Sequence, residues 1–190
     1  MNETLKTIMS RRSIRKYKQE QIKDEELQLI LQAGKFAPSA MNQQPWHFTV
    51  IQSKEVLKKI NDACIVALSN SGNSYYEERL KAIKANKTNF MFNAPTLIVV
   101  SGDEKARAPI NDCSLAIENM FIAAESLGIG SCWIHALYVL YSTEVGKAFL
   151  INESIIPEGY FIVSSGAFGY KAMEQPTPEP RRDGTITILK

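Results

Sequence analysis

At 190 residues, the chain is long enough for one compact domain with a sizeable core but sits poorly with two. Apolar residues at 45% and charged residues at 22% lie near the globular average, which argues against disordered, collagen-like and coiled-coil classes. A formal net charge of +2 is too mild to draw the whole protein to nucleic acid or a membrane, so basic charge must act locally.

Leu5, Ile8 and Met9 recur at helical spacing near the N-terminus, which reads as an amphipathic helix over residues 3–10 and shows no signal-peptide core. A second helix is expected over 24–37, with Leu27, Ile30, Leu31 and Gly34 on one face and Pro38 as its stop. Residues 46–51 are aromatic and β-branched and predict a strand. Ser53 resembles an N-cap for the helix that follows, which carries Leu57, Ile60 and Cys64.

Residues 70–93 open with turn formers and then turn polar and helical, in the manner of a flap over a pocket. The apolar run 96–101 suits a buried strand. A long helix is expected from Asp112, read as its cap, to Leu127, closed by Gly128. Residues 132–136 and 159–167 predict strands, 142–150 a short helix, and 185–189 a last strand. The alternating prolines of 175–180 predict an extended arm. The expected fold is α+β: three layers around one mixed sheet, in a single domain over 1–190, with 175–190 as an arm that one compact subunit does not explain.

The apolar runs 63–68 and 136–141 are too short to span a bilayer. Three cysteines without a C-x-x-C pair argue for reduced thiols in a cytoplasmic protein rather than a disulfide framework. His47 and His135 have no metal-ligand spacing. Neither a P-loop nor a G-x-S-x-G elbow is present.

Two segments carry readable chemistry. Residues 11–18 hold five basic side chains in eight, with Ser13 and Tyr17 among them. Guanidinium forks at Arg11, Arg12 and Arg15 suit the oxygens of a phosphate dianion. From composition alone, a solvated basic stretch or a weak nucleic-acid or membrane patch is the commoner explanation. Residues 37–46 join small side chains to Asn42 and Gln44, whose amides both donate and accept, as the edge of a flat heteroaromatic ring requires. Physics alone slightly favours an ordinary helix-stop loop with two prolines. Gly128 and Gly130 form a G-x-G that follows a helix, with Trp133 where a third glycine would stand, so this is not a dinucleotide fingerprint. Arg181 and Arg182 gain meaning only beside Arg11 and Arg12.

In order and spacing, Arg11-Arg12-Ser13-Ile14-Arg15, the segment from Ala37 to Trp46, Ala94-Pro95, and the segment from Ala123 to Trp133 resemble the FMN-dependent nitroreductase family. The resemblance covers nearly the whole chain. It implies an α+β fold and a homodimer with FMN in two interfacial clefts, NADH or NADPH as reductant, and a small-molecule electron acceptor in ping-pong turnover. Nitroaromatics, quinones and related electrophiles are the implied acceptors. Neither nucleic acid nor membrane is an expected partner. By the same resemblance, Arg11, Arg12, Ser13 and Arg15 hold the phosphate and ribityl chain, and Arg181 or Arg182 closes on the phosphate. Pro38, Ser39, Asn42 and Gln44 reach the flavin ring from the partner subunit, Gly130 and Ser131 line the ring's other side, and the trailing arm embraces the partner. No catalytic acid or base is nominated. A non-catalytic FMN-binding or sensing module, and a nucleic-acid binder built on residues 11–18, are the competing classes.

Overall fold

In the computed structural model, which describes residues 1–190, the chain runs through α1 (Glu3–Ser10), α2 (Asp24–Lys35), β1 (Trp46–Ile51), α3 (Lys54–Ser69) and α4 (Ser74–Ala85). It continues through β2 (Thr96–Asp103), α5 (Pro109–Ser126), β3 (Ile129–Trp133), α6 (Ala136–Tyr141), α7 (Glu144–Asn152) and β4 (Tyr160–Tyr170). The sheet order is β1-β2-β4-β3.

β2 decides the layering. Its side chains alternate between faces, as the pleat demands. Leu97 and Val99 enter one apolar cluster with α3, α6 and α7, while Ile98 and Val100 enter another with α2 and α5. All four of these side chains are fully buried. A strand covered on both faces reads as a continuous apolar run rather than an alternating one, which is why 96–101 stood out. The result is the expected α+β arrangement of helices on both faces of one sheet.

The mixed sheet needs correction. Every pair of its four strands is antiparallel, and its parallel element is a single bridge between Ser13 and Ser131. That bridge belongs to a ribbon formed by residues 11–18. Ile14 N donates to Ser131 O at 2.9 Å, Lys18 N to Tyr170 O at 2.9 Å, and Ala172 N to Lys16 O at 3.0 Å. Ile14 and Tyr17 are buried, while Arg15 and Lys16 stay exposed. The approach is close because β3 offers a glycine. A Cβ on Gly130 would lie 2.9 Å from Ile14 Cβ and Cγ2.

Other expectations shift in detail. α5 begins at Pro109, since proline is tolerated in a first helical turn where its missing N–H costs nothing. Asp112 is therefore inside that helix and is not its cap. Gly128, at φ 75°, turns the chain straight into β3, so the strand is Ile129–Trp133 rather than 132–136. The apolar run 136–141 is α6, which a periodicity reading could not separate from a strand. Residues 185–189 form no strand, because no neighbouring strand within the chain pairs with them. No helix is long and apolar enough to cross a membrane.

Cys64, Cys113 and Cys132 are free and buried. Burial pushes the Cys64 thiol up to about 12, and burial together with the neighbouring Asp112 charge does the same for Cys113. The folded state thus keeps protons that the unfolded chain releases above an ordinary thiol value. Stability from these groups is complete below about pH 9 and declines as pH rises towards 12. Urea midpoints measured at increasing pH above 9 should fall, and Cys64→Ala with Cys113→Ala should flatten that slope.

Gly130→Ala should destabilise the fold by about 1–3 kcal/mol through forced separation of ribbon and strand. Thermal melting checks it, and a combined Ile14→Ala, Gly130→Ala variant should cost less than the sum of the two changes. An unaltered melting temperature for Gly130→Ala would remove the ribbon's dependence on this contact.

Candidate functional site

Two clefts of about 350 Å³ each meet at Arg15, which lines both. The first is basic. The ribbon contributes Arg11, Arg12, Ser13 and Arg15, and the C-terminal arm closes over them with Pro176, Thr177, Pro178, Glu179 and Arg181. Four guanidiniums and one carboxylate thus line this cleft. Arg12 Nη1 is anchored on Met9 O at 3.0 Å, while its Nε is buried without any partner. An orphaned charged N–H of this kind costs free energy unless something accepts from it. Arg11 leans over the Phe121 ring at 5.8 Å, with Glu118 3.6 Å from its Nε.

The root of the arm is fixed. Lys171 Nζ meets Glu125 at 2.9 Å in a mostly buried pair, and Gln175 Nε2 donates to Glu125 Oε1 at 3.0 Å and to Ser10 O. Gln175 thus ties the arm to α1 through Ser10 and to α5 through Glu125, which aims the chain beyond 175 across the basic cleft. Arg181 reaches that cleft, whereas Arg182 does not line it.

The second cleft is aromatic. Tyr75, Tyr76 and Arg79 of α4 form one wall, Phe90 and Phe92 another, and Cys132, Trp133 and His135 the third. Burial raises the Cys132 thiol, and this outweighs the opposing pull of Arg15, a hydrogen bond with Ser13, and the charges of Arg11 and Arg79. The thiol is thus kept protonated, not activated.

The other expected residues lie apart. Gly130 and Ser131 are buried beneath the ribbon and line neither cleft. Pro38, Ser39, Asn42 and Gln44 line neither cleft of their own protomer. Their loop sits instead at the start of α5, where both carboxylate oxygens of the buried Asp112 accept from Ala40 N at 3.2 Å. Gln44 N donates to Ser39 Oγ, Gln44 Nε2 donates to Asn42 Oδ1, and Arg107 N donates to Gln43 Oε1, each at 3.0 Å. Met41, Asn42 and Gln44 all take positive φ, at 53°, 55° and 48°. Such strain in non-glycine residues persists where surrounding bonds impose it, and it concentrates at functional positions.

Sequence reasoning missed the aromatic cleft, which gathers residues from separate stretches of the chain. It also gave Asp112 a local role where the carboxylate acts across 72 residues. The readable signal was Ala94-Pro95, which ends the turn carrying Phe92 and was noted as a motif without a function.

A basic cleft that meets an aromatic one beside an antiparallel sheet defines the class as an α+β protein with a cleft of small-molecule size. The nitroreductase family model matches residues 8–170, and the chain belongs to that family. It is 37% identical over 180 residues to an Archaeoglobus fulgidus protein provisionally named NADH dehydrogenase/NAD(P)H nitroreductase, covering 92% of this chain and 89% of that one. The crystal structure of a nitroreductase with bound FMN from Bacteroides fragilis matches with TM-score 0.88 and 38% identity over 100% of both chains. A second nitroreductase with bound FMN, from Desulfitobacterium hafniense, matches with TM-score 0.87 and 30% identity, again over 100% of both chains.

Asp112→Ala should strip Ala40 of its acceptor and cost about 1–3 kcal/mol. Hydrogen exchange at residues 40–44 should accelerate more than in the helices of the α2 side. Uniform acceleration would show that the carboxylate supports the whole fold and not this loop.

Proposed function

We propose that the protein is an FMN-dependent oxidoreductase that takes reducing equivalents from NADH or NADPH and passes them to a small electrophilic acceptor such as a nitroaromatic or quinone. The observation that carries this is a cleft lined by four arginines and Ser13, with the Nε of Arg12 buried behind it and lacking a partner. The donor set fits a phosphate monoester, and the aromatic cleft that opens past Arg15 fits a flat ring. FMN joins those two chemistries in one molecule, and family relatives of nearly equal length hold it.

When bound, FMN supplies two-electron chemistry that no side chain can, accepting hydride from the nicotinamide and later giving electrons to the acceptor. The chain's own residues bind, orient and shield. Arg11, Arg12, Ser13 and Arg181 would hold the phosphate by charge-assisted hydrogen bonds. Arg15, placed between the clefts, would bring positive charge towards the ring and favour its anionic reduced form electrostatically. The aromatic walls exclude water from the ring's neighbourhood. Reductant and acceptor share that one opening, so they take turns, and the kinetics are ping-pong. This scheme needs no acid or base from the protein.

The working unit in this reading is a homodimer. α1 buries none of its residues, leaving Leu5, Ile8 and Met9 about half exposed or more. Ile186, Ile188 and Leu189 stand 82%, 72% and 92% exposed on the arm. A single protomer gives neither surface an apolar partner. The loop carrying Pro38, Ser39, Asn42 and Gln44, distant from its own clefts, is then offered to the partner's ring site. Residues 70–93, with α4, form the wall that selects the acceptor.

An absorbance spectrum of the purified protein tests the function directly. A flavin band near ~450 nm, a property of the cofactor, should be present or restored by added FMN, and anaerobic NADH or NADPH should bleach it. A band that neither nucleotide bleaches would reduce the protein to a flavin-binding module. Failure to bind FMN at all would overturn the proposal.

A further inference from the structure

FMN would engage the arginines of the basic cleft, but a further guanidinium lies outside it. Arg79 lines the aromatic cleft and not the basic one. Its Cζ stands 4.9 Å from the centroid of the Phe92 ring. It is half-buried, and it enters none of the chain's salt bridges. No Asp or Glu lines the cleft. A cation held against an aromatic face and away from carboxylates is partly desolvated and lacks a counter-ion.

The ring beneath it is held at a cost. Phe92 has φ 57° and Asn93 φ 54°, left-handed conformations that a bulky residue adopts only under constraint. Asn89 imposes them. Its carbonyl accepts from Phe92 N at 3.1 Å, and its side-chain oxygen accepts from Met91 N and Asn93 N at 3.0 and 2.8 Å. Arg15 stacks on the same ring, with its Cζ 5.8 Å from the centroid. Two guanidiniums sharing one ring repel each other, and an anion beside them relieves that repulsion. Tyr75, Tyr76 and Trp133 supply flat apolar surface around the same space.

We propose that the acceptor is a planar aromatic anion that enters the part of this cleft bounded by α4, beside the flavin ring, and sets its negative charge on Arg79. The proposal rests on the oxidoreductase function proposed above. With 4-nitrobenzoate as probe, NADH and one solvent proton supply two electrons and two protons. The nitro group loses one oxygen as water, leaving the nitroso acid and NAD⁺.

Binding can be read without turnover, because Trp133 lines the cleft. Its fluorescence is titrated with benzoate and with neutral benzamide in the protein as purified, and Trp133→Phe separates its signal from that of Trp46. Benzoate should bind about tenfold more tightly than benzamide, the scale of one charge-assisted hydrogen bond. Arg79→Gln should abolish the preference and Arg79→Lys should retain part of it. In turnover, Arg79→Gln should raise KM for 4-nitrobenzoate about tenfold, with a much smaller effect on 4-nitrobenzamide. Equal binding of benzoate and benzamide by the native protein would overturn the proposal, as would parallel losses for both probes in the variant. An Arg79→Gln defect confined to reduction by NADPH would also overturn it, assigning the charge to the nucleotide's phosphate. Failure of the oxidoreductase function looks different: flavin is absent, or neither nucleotide bleaches it, whatever the fluorescence titration reports.

Discussion

Ribbon and sheet meet at Gly130, and the cleft chemistry depends on how closely they do so. Ile14 occupies the space that a side chain at position 130 would need. Ile14 N bonds to the strand and the Ile14 side chain is fully buried, so the flanking Ser13 and Arg15 are turned outward. A flexible basic segment would lose much rotamer and backbone freedom on gripping a phosphate. Here most of the backbone part is lost during folding, so in the proposed function the arginines would meet a ligand from fixed stems. The arm completes the same economy from the other side, since its root is bonded to Glu125 and Ser10 before it crosses the cleft.

The two clefts divide their labour by chemistry. One concentrates charge and hydroxyls; the other offers rings. Arg15 belongs to both, so charge is present at the boundary where a flat ligand would pass from one to the other. The stack of Arg79 and Arg15 on Phe92 extends that charge into the aromatic end. Strain at Phe92 lies within this stack, while that of residues 41–44 lies in the loop held by Asp112, away from both clefts of its own protomer.

Much of this was legible along the chain. The β-branched and aromatic run from Trp46 gave its strand, and Ser53 gave the cap of α3, whose side chain accepts from Val56 N. Arg11, Arg12, Ser13, Arg15 and Arg181 do share a cleft, which the spacing of the motifs and the family resemblance anticipated together. What escaped was non-local. Asp112 looks like a helix cap to any local reading, because Ala40 is far away in sequence. The aromatic cleft has no signature, being assembled from α4, the Phe92 turn and the end of β3. Residues 185–189 carry a strand pattern, but a strand needs a neighbour, and the chain alone supplies none. Whether 136–141 is helix or strand is decided by tertiary packing on α3, not by its own composition.

Cys132 has a consequence for durability. Quinones, and the nitroso compounds formed from nitroaromatics, are electrophiles that alkylate or oxidise thiolates readily. An enzyme that binds the one as acceptor and releases the other as product would bring an electrophile near its own sulfur at every turnover. The Cys132 thiol borders the cleft, in a positive neighbourhood that ordinarily acidifies cysteine, yet burial holds it in the protonated form. Cys64 and Cys113 are withdrawn into the core. If the proposed function holds, the packing that builds the sheet also keeps all three sulfur atoms away from the electrophiles passing through the cleft.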